Sequence, residues 1–349
     1  MPEVGAAFDA VVIASFGGPE GPDEVVPFLR RVTAGRNIPD ERLKVVGEHY
    51  FHFGGVSPIN AINRALRERM QTELDRRDLG LPVYLGNRNS PPYLGDVAQQ
   101  MVTDGVKRAL VLATSAYGGY SACRQYDGDI EKAIEATGGA VHLEKLPQTY
   151  HTDVFAQINA DAVLRALAEL GRDRFDDSTR LVLTAHSVPT KANDESGPDG
   201  DLYRQQVETV AAEVARRAGA EQHDVAWQSR SGAPHVPWLE PDICDHLETV
   251  AADGVSAVVI APIGFVSDHM EVIWDLDTEA KAKADELGLE MARAATASDD
   301  PRFVSLYADL IAERAANGAA VTSYCQPLQG ATGATANGTP CAPGCCAAR

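Results

Sequence analysis

The sequence predicts two doubly wound α/β domains in tandem, each built on a parallel sheet covered by helices. Three observations carry this. Short apolar runs alternate with helix-period segments along the chain, the pattern of a parallel sheet buried on both faces. The outline also repeats: AVVIASFGGP (10–19) has a counterpart in RLVLTAHSVP (180–189), and RALVLATSAYGG (108–119) has one in SAVVIAPIGFVS (256–267). Finally, 349 residues with 44% hydrophobic and 23% charged side chains give room for two domains of ordinary size. The expected units are 8–148, 149–316 and a tail, 317–349.

Taken in order, AVVIASF (10–16) is a buried strand closed by Gly17-Gly18-Pro19. A helix is expected over 23–32, a polar loop over 36–42, and a second helix over 43–53 broken by Gly54-Gly55. The spacing over 59–78 is strongly helical; 82–87 is a strand, 93–104 a helix, and 109–114 a strand opening into Ser115-Ala116-Tyr117-Gly118-Gly119-Tyr120. A helix from Cys123 to Ala136 and a strand over 141–146 complete the first half. The second half repeats the theme: helix 155–170, strand 180–189, a loop rich in Asp, Gly and Pro, and helix 201–218. Strand 224–229, helix 241–252 and strand 257–262 come next, and the last strand delivers an acidic helix running to about Leu287. Past Asn317 the chain is small-residued, Gly/Ala/Thr/Pro-rich and aperiodic, and cannot bury enough surface to fold alone.

In doubly wound sheets, ligands bind outside the carboxyl ends of strands. Phe16, Tyr117, His186 and Ser267 all fall at such ends, which predicts a cleft between the halves. On the acidic helix, Glu271, Asp275 and Glu279 stand four apart. On an α-helix, successive members rotate by only about 40°, so they form one line able to guide a hydrated divalent cation or pass protons. The alternatives are a capping box, Asp268-x-x-Glu271, and a solvated face with Glu279 pairing to Lys283. His186, delivered by a buried strand, can take a proton or bind a transition metal; otherwise it is a turn residue bonded to backbone. A His nitrogen facing a carboxylate across the cleft is a transition-metal arrangement. Several aromatic residues (Phe16, Tyr117, Tyr120, Tyr126, Trp227, Trp238 and Trp274) fall near the expected cleft, some as core and others as walls for a flat apolar ligand.

A net charge of −19 and a pI near 4.8 exclude nucleic acid as the natural partner, since phosphate binding needs concentrated Lys and Arg. There is no apolar run of about 18 residues and no basic segment before the first strand, so a cytoplasmic protein with no spanning helix is expected. Of six cysteines, Cys341, Cys345 and Cys346 cluster in the tail. Clustered thiols in a cytosolic chain point to zinc or an iron–sulfur centre, with Cys123 and Cys325 as candidates for a fourth ligand. Cys244, among apolar helix positions, reads as core.

These residues carry a resemblance. FGGP (16–19), FGGVSPI (53–59), the Tyr117–Tyr126 loop, LVLTAHSVP (181–189), WQSRSG (227–232), PWLEPD (237–242) and PIGFVSDHMEVIWDLDTE (262–279) resemble the ferrochelatase family over about residues 10 to 290. The resemblance implies two Rossmann-like domains around a porphyrin cleft. It implies that His186 and Glu271 flank the macrocycle and contact incoming Fe²⁺, while Asp275 and Glu279 continue a metal or proton conduit. Ser57 and Tyr126 match porphyrin-contacting positions, with Phe16, Tyr117 and Trp227 as further candidate contacts. Phe16 stands where the family often has a Tyr, so no hydroxyl ligand comes from that side, and His49 stands where the family is often basic. The tail is similar to extensions that carry a [2Fe–2S] cluster, which implies Cys123, Cys341, Cys345 and Cys346 as ligands, with Cys325 as the alternative. The overall form resembles actinobacterial enzymes acting on coproporphyrin III; protoporphyrin IX as substrate, or a non-catalytic haem carrier, are the alternatives. A monomer is expected.

Overall fold

The computed structural model describes residues 8–35, 38–197, 199–231, 235–317 and 346. The first half supplies β1 (Ala10–Ser15), α1 (Pro22–Val32), α2 (Asp40–His52), α3 (Ile59–Arg76), β2 (Val83–Asn87) and α4 (Leu94–Thr103). It continues with β3 (Arg108–Ala113), a π-helical turn (Tyr120–Arg124), α5 (Gln125–Ala136) and β4 (His142–Lys145). The second half supplies α6 (Asp153–Glu169), β5 (Thr179–His186), α7 (Thr190–Asp194), α8 (Leu202–Ala218), β6 (His223–Gln228), α9 (Ile243–Ala252) and β7 (Ala257–Ala261). Then come α10 (Met270–Val272), a π-helix (Ile273–Ala280), α11 (Lys281–Leu287), β8 (Glu290–Arg293), a 3₁₀ turn (Ala297–Asp299) and α12 (Pro301–Asn317).

The strands form two all-parallel sheets, β2-β1-β3-β4 and β6-β5-β7-β8. The orders correspond strand for strand, so the outline repeat in the sequence is a repeat of topology. Side-chain alternation divides each central strand between two cores. Val11 and Ile13 of β1 join a large core between the sheets with Leu181 and Leu183 of β5 and Val259 of β7. Ala10, Val12 and Ala14 face an outer core under α4 and α5, and Val182, Val258 and Ile260 face another under α9 and the π-helix. Burial on both faces explains why these strands read as unbroken apolar runs.

The central core unites the halves. Leu66, Met70 and Leu74 of α3 meet Phe155 and Ile158 of α6, Val207 and Val214 of α8, and Phe303 and Tyr307 of α12. Tyr117, from the loop after β3, donates its hydroxyl hydrogen to the Ile263 carbonyl after β7 (3.0 Å). α12 was not expected from the sequence, nor was β8. α12 returns from the second sheet to α3, where Arg77 pairs with Asp309, and its Arg314 forks onto Glu144 of β4. Its polar side chains are used for inter-element pairs, which dilutes the amphipathic signal.

Other expectations are corrected. The Asp–Gly–Pro loop after β5 contains α7. The acidic segment is not one α-helix but three residues of α10, a π-helix and α11. Asp268 caps nothing: the residue preceding α10 is His269, and the Asp268 carboxylate accepts from Arg293 (3.0 Å), which also holds Asp277. Lys283 pairs with Glu248 (2.9 Å) and Glu286 (3.4 Å), not with Glu279. Cys244 is half-buried against the core under α9. Among the described residues, no helix is long and apolar enough to cross a membrane.

The loop after β7 crosses the end of β5 with no room to spare. Gly264 donates to the Thr184 carbonyl (3.0 Å), and a Cβ on it would lie 2.4 Å from Ala185 Cβ. Gly264→Ala is therefore expected to force the two strand ends apart, at about 1–3 kcal/mol of stability. A lower urea midpoint with an unchanged m-value is the expected observation.

Candidate active site at the facing strand ends

His186 is the last residue of β5, and Glu271 lies in the first turn of the helix that β7 delivers. Because β5 and β7 are adjacent and parallel, their ends open side by side, and His186 Nε2 comes within 3.5 Å of Glu271 Oε2. The ring is held from behind: Nδ1 contacts the Ser187 carbonyl, which can only accept, so Nδ1 carries a proton. The His186 carbonyl itself accepts from the Tyr203 hydroxyl (3.0 Å), and Ser187 Oγ donates to the Leu239 carbonyl (2.8 Å). Nε2 is thus the nitrogen presented to the cleft.

Burial works against a charge on His186, but the Glu271 carboxylate, the Ser187 carbonyl and the Asp275 carboxylate outweigh it and raise its pKa. Burial would raise Glu271 as well, yet His186, then His269 and His49, pull it down to about 2. The pair is accordingly a histidine with strengthened proton affinity facing a carboxylate that is ionised at neutral pH. Next along the helix, Asp275 behaves in the opposite way. Burial and the charges of Glu271 and Glu279 push it up to about 7, against a hydrogen bond from Ser229 and the charge of His186. Ser229 Oγ donates to Asp275, and Gln228 Nε2 donates to the same oxygen at 3.3 Å. Ser229 adopts left-handed backbone, φ 64°, a strained conformation for a non-glycine residue that aims its hydroxyl at Asp275. Glu279 is exposed further along the helix. A π-helix takes in more residues per turn than an α-helix, so carboxylates four apart align at least as closely as expected; π segments are frequent at functional sites.

The first half supplies an opposing wall. Phe16, just after β1, packs edge-on against Phe28 (6.0 Å) in a small core of α1 and α2 that also takes Met270, the neighbour of Glu271. Trp274 of the π-helix stacks on His49 of α2 at 4.1 Å and 8°. Arg88 lies over both Phe16 (5.8 Å) and Tyr126 (4.9 Å); Tyr126 is buried, with its hydroxyl 3.3 Å from Thr114 Oγ1. Ser57 is buried before α3, its N–H on the Pro19 carbonyl (2.9 Å).

The structure does not bring all the sequence candidates to the cleft. Tyr117 and Trp227 lie in the central core, 1% and 3% exposed. Gln228, Ser229, Arg88 and Met270 were not singled out in the sequence, although the first two fall in the WQSRSG stretch. Among the described residues no three His, Cys, Asp or Glu side chains converge as a closed cage. Away from the cleft, Cys123 of the π-helical turn and Cys346 are buried together against Leu202. Cys346 has left-handed backbone, φ 54°. Cys325, Cys341 and Cys345 lie outside the described residues.

Residues 8–315 match the family model for ferrochelatase. The chain is 52% identical to a protein of Nocardia farcinica, across 98% of this chain and 97% of that one. It is 51% identical to one of Streptomyces coelicolor, across 100% and 96%. Both relatives are named coproporphyrin III ferrochelatase. Among solved structures, SirB of Bacillus subtilis with Fe³⁺ aligns at a TM-score of 0.55 and 12% identity, over 89% of this chain and 96% of that one. CbiX, a terminal enzyme of sirohaem biosynthesis in denitrifying bacteria, aligns at 0.51 and 13%, over 87% and 98%. At such identities these two show the fold alone.

The raised Asp275 pKa sets a stability test. In the unfolded chain the group ionises near 3.8, and in the folded chain near 7. Folding is therefore opposed increasingly as pH rises through that window. Asp275→Asn is expected to leave stability unchanged near pH 4 and raise it by about 1–2 kcal/mol above pH 7, the water of the cleft holding the gain below the full shift. Thermal melts of both proteins across that range check the sign.

Proposed function

The chain belongs to the ferrochelatase family and is a metal chelatase, and on that premise we propose that it inserts Fe²⁺ into coproporphyrin III to give the iron porphyrin of haem biosynthesis. The observation that carries the reading is the 3.5 Å approach of His186 to Glu271 at the mouth of the cleft, with Nδ1 tied to backbone and Nε2 facing outward. The substrate choice is supported by the names of full-length relatives at about half identity.

A flat porphyrin hides its nitrogen lone pairs and carries two pyrrole N–H protons, so metal enters only as those protons leave. A rigid cleft that favours a puckered ring binds the transition state better than the flat ground state. Phe16, Trp274 and the α1–α2 wall give such a cleft its stiff aromatic side. Glu271, ionised throughout the neutral range, attracts the cation. His186 ligates it or accepts a pyrrole proton through Nε2. Asp275, near half-protonation at neutral pH, passes protons outward, and Glu279 continues the line to solvent. Ser57, Phe16 and Tyr126 contact the macrocycle. The Arg88 guanidinium, beside the last two, suits a propionate carboxylate.

The tail reading is part of the same proposal. Cys123 and Cys346 fit an iron–sulfur centre: both are buried in one cluster with Leu202 and approached by N–H donors. They would hold a [2Fe–2S] cluster with Cys341 and Cys345, Cys325 being the alternative. Such a cluster supplies a one-electron centre and a cross-link between tail and body. A cytoplasmic monomer completes the reading.

Anaerobic mixing of the protein with Fe²⁺ and coproporphyrin III, with loss of free-porphyrin fluorescence as the readout, tests the activity. His186→Ala and Glu271→Gln are each expected to slow insertion by about 10²-fold or more while retaining porphyrin binding. Turnover of protoporphyrin IX alone would overturn the substrate. Binding without insertion in the wild type would overturn the enzyme.

A further inference from the structure

We propose that the side-chain amide of Gln148 and the backbone N–H of Gly197 tune the reduction potential of the iron–sulfur centre by hydrogen bonding to its ligand sulfurs on Cys123 and Cys346. This inference rests on the cluster reading given above and goes beyond it by assigning the groups that set the cluster's electronic state.

Gln148 Nε2 lies 3.2 Å from Cys123 Sγ, and Gly197 N lies 3.2 Å from Cys346 Sγ. A protonated thiol is a weak acceptor, so N–H donors on two sulfurs buried against the same leucine are the arrangement expected around anionic ligands. Neither donor is a mobile surface group. Gln148 comes after β4 and precedes Thr149 and Tyr150, both fully buried, with Tyr150 N bonded to the Ala116 carbonyl (3.1 Å). The Cys123 backbone is fixed in turn by Lys145, whose Nζ donates to the Cys123 carbonyl (3.1 Å) and pairs with Asp127.

Gly197 is glycine for a steric reason that serves the same end. Its φ is +80°, and a Cβ there would lie 2.6 Å from Leu202 Cβ. Leu202 is the residue packed against both cysteines. Only a residue without a side chain can therefore turn its N–H onto Cys346 at this point. The donors come from opposite halves of the chain, Gln148 from the first and Gly197 from the second. Reduction adds negative charge to the cluster and its thiolates. N–H groups aimed at the sulfurs stabilise that charge and raise the potential, and removing one lowers it.

The test uses the full chain purified anaerobically. Absorbance of the oxidised protein and electron paramagnetic resonance of the dithionite-reduced protein establish the cluster, and a potentiometric titration gives its midpoint. Gln148→Met, similar in shape but without the donor, is expected to assemble the cluster with a more negative midpoint. Gln148→Glu, with an anionic acceptor in place of the donor, is expected to shift it further in the same direction. Gln99→Leu, on an exposed helix face, serves as the control and is expected to leave it unmoved. An intact cluster with the wild-type midpoint in both Gln148 variants would overturn the inference and leave the cluster reading standing. Wild-type protein without a cluster would overturn the cluster reading first, and the inference with it.

Discussion

Strand β7 lies beside β5 in the second sheet, in parallel register with Leu183 opposite Ala261. Both chains therefore leave the sheet at the same edge, and the site depends on that constraint. β5 ends on His186. β7 runs over the β5 terminus at Gly264, where side-chain volume is forbidden, and then turns into the helix that carries Glu271. The pair meets without either residue being held by a long flexible loop. The Ser187 carbonyl and the Tyr203 hydroxyl complete the support by fixing the imidazole tautomer and the backbone behind it. Orientation by such neighbours is what makes a ligand or base effective.

The electrostatics of the cleft arise from the same placement. Two carboxylates four residues apart on one helix end with pKa values near 2 and near 7. Glu271 faces the His186 imidazole; Asp275 lies between two other carboxylates and a serine hydroxyl. Groups whose environments drive their affinities for protons apart can divide a reaction between cation capture and proton transfer. The arrangement costs stability at neutral pH, as functional sites commonly do. The strained backbone of Ser229 is part of that cost.

The cleft is also tied across the molecule. Met270 inserts into the small core of α1 and α2, and Trp274 stacks on His49, so the first half rests directly on the helix that carries the acidic line. Behind the cleft, Tyr117 joins the two strand-end loops, and α12 binds the second half back to α3 and β4. Movement of one half against the other would therefore be felt at Glu271 and Asp275. The cysteine site belongs to this scheme too. Leu202, packed on Cys123 and Cys346, precedes Tyr203, whose hydroxyl holds the His186 carbonyl.

By itself the sequence determined the repeated α/β plan and the strand ends at which the candidate site lies. A strand buried on both faces must be apolar along its length, and the chain must turn as it leaves the sheet, so AVVIAS, LVLTAH and AVVIA announce themselves and point to Phe16 and His186. The SDHMEVIWDLDTE stretch likewise displays its carboxylates by spacing alone. What only the tertiary structure decided depends on distance between segments far apart in the chain. It withdrew Tyr117 and Trp227 into the core, because a strand-end residue faces either the cleft or the opposite sheet and periodicity cannot say which. It moved Asp268 from a cap to a partner of Arg293, and it gave Asp275 its Gln228 and Ser229 donors. It also wound the acidic segment as a π-helix, since a local pattern of apolar and polar residues is compatible with either winding and packing chooses between them.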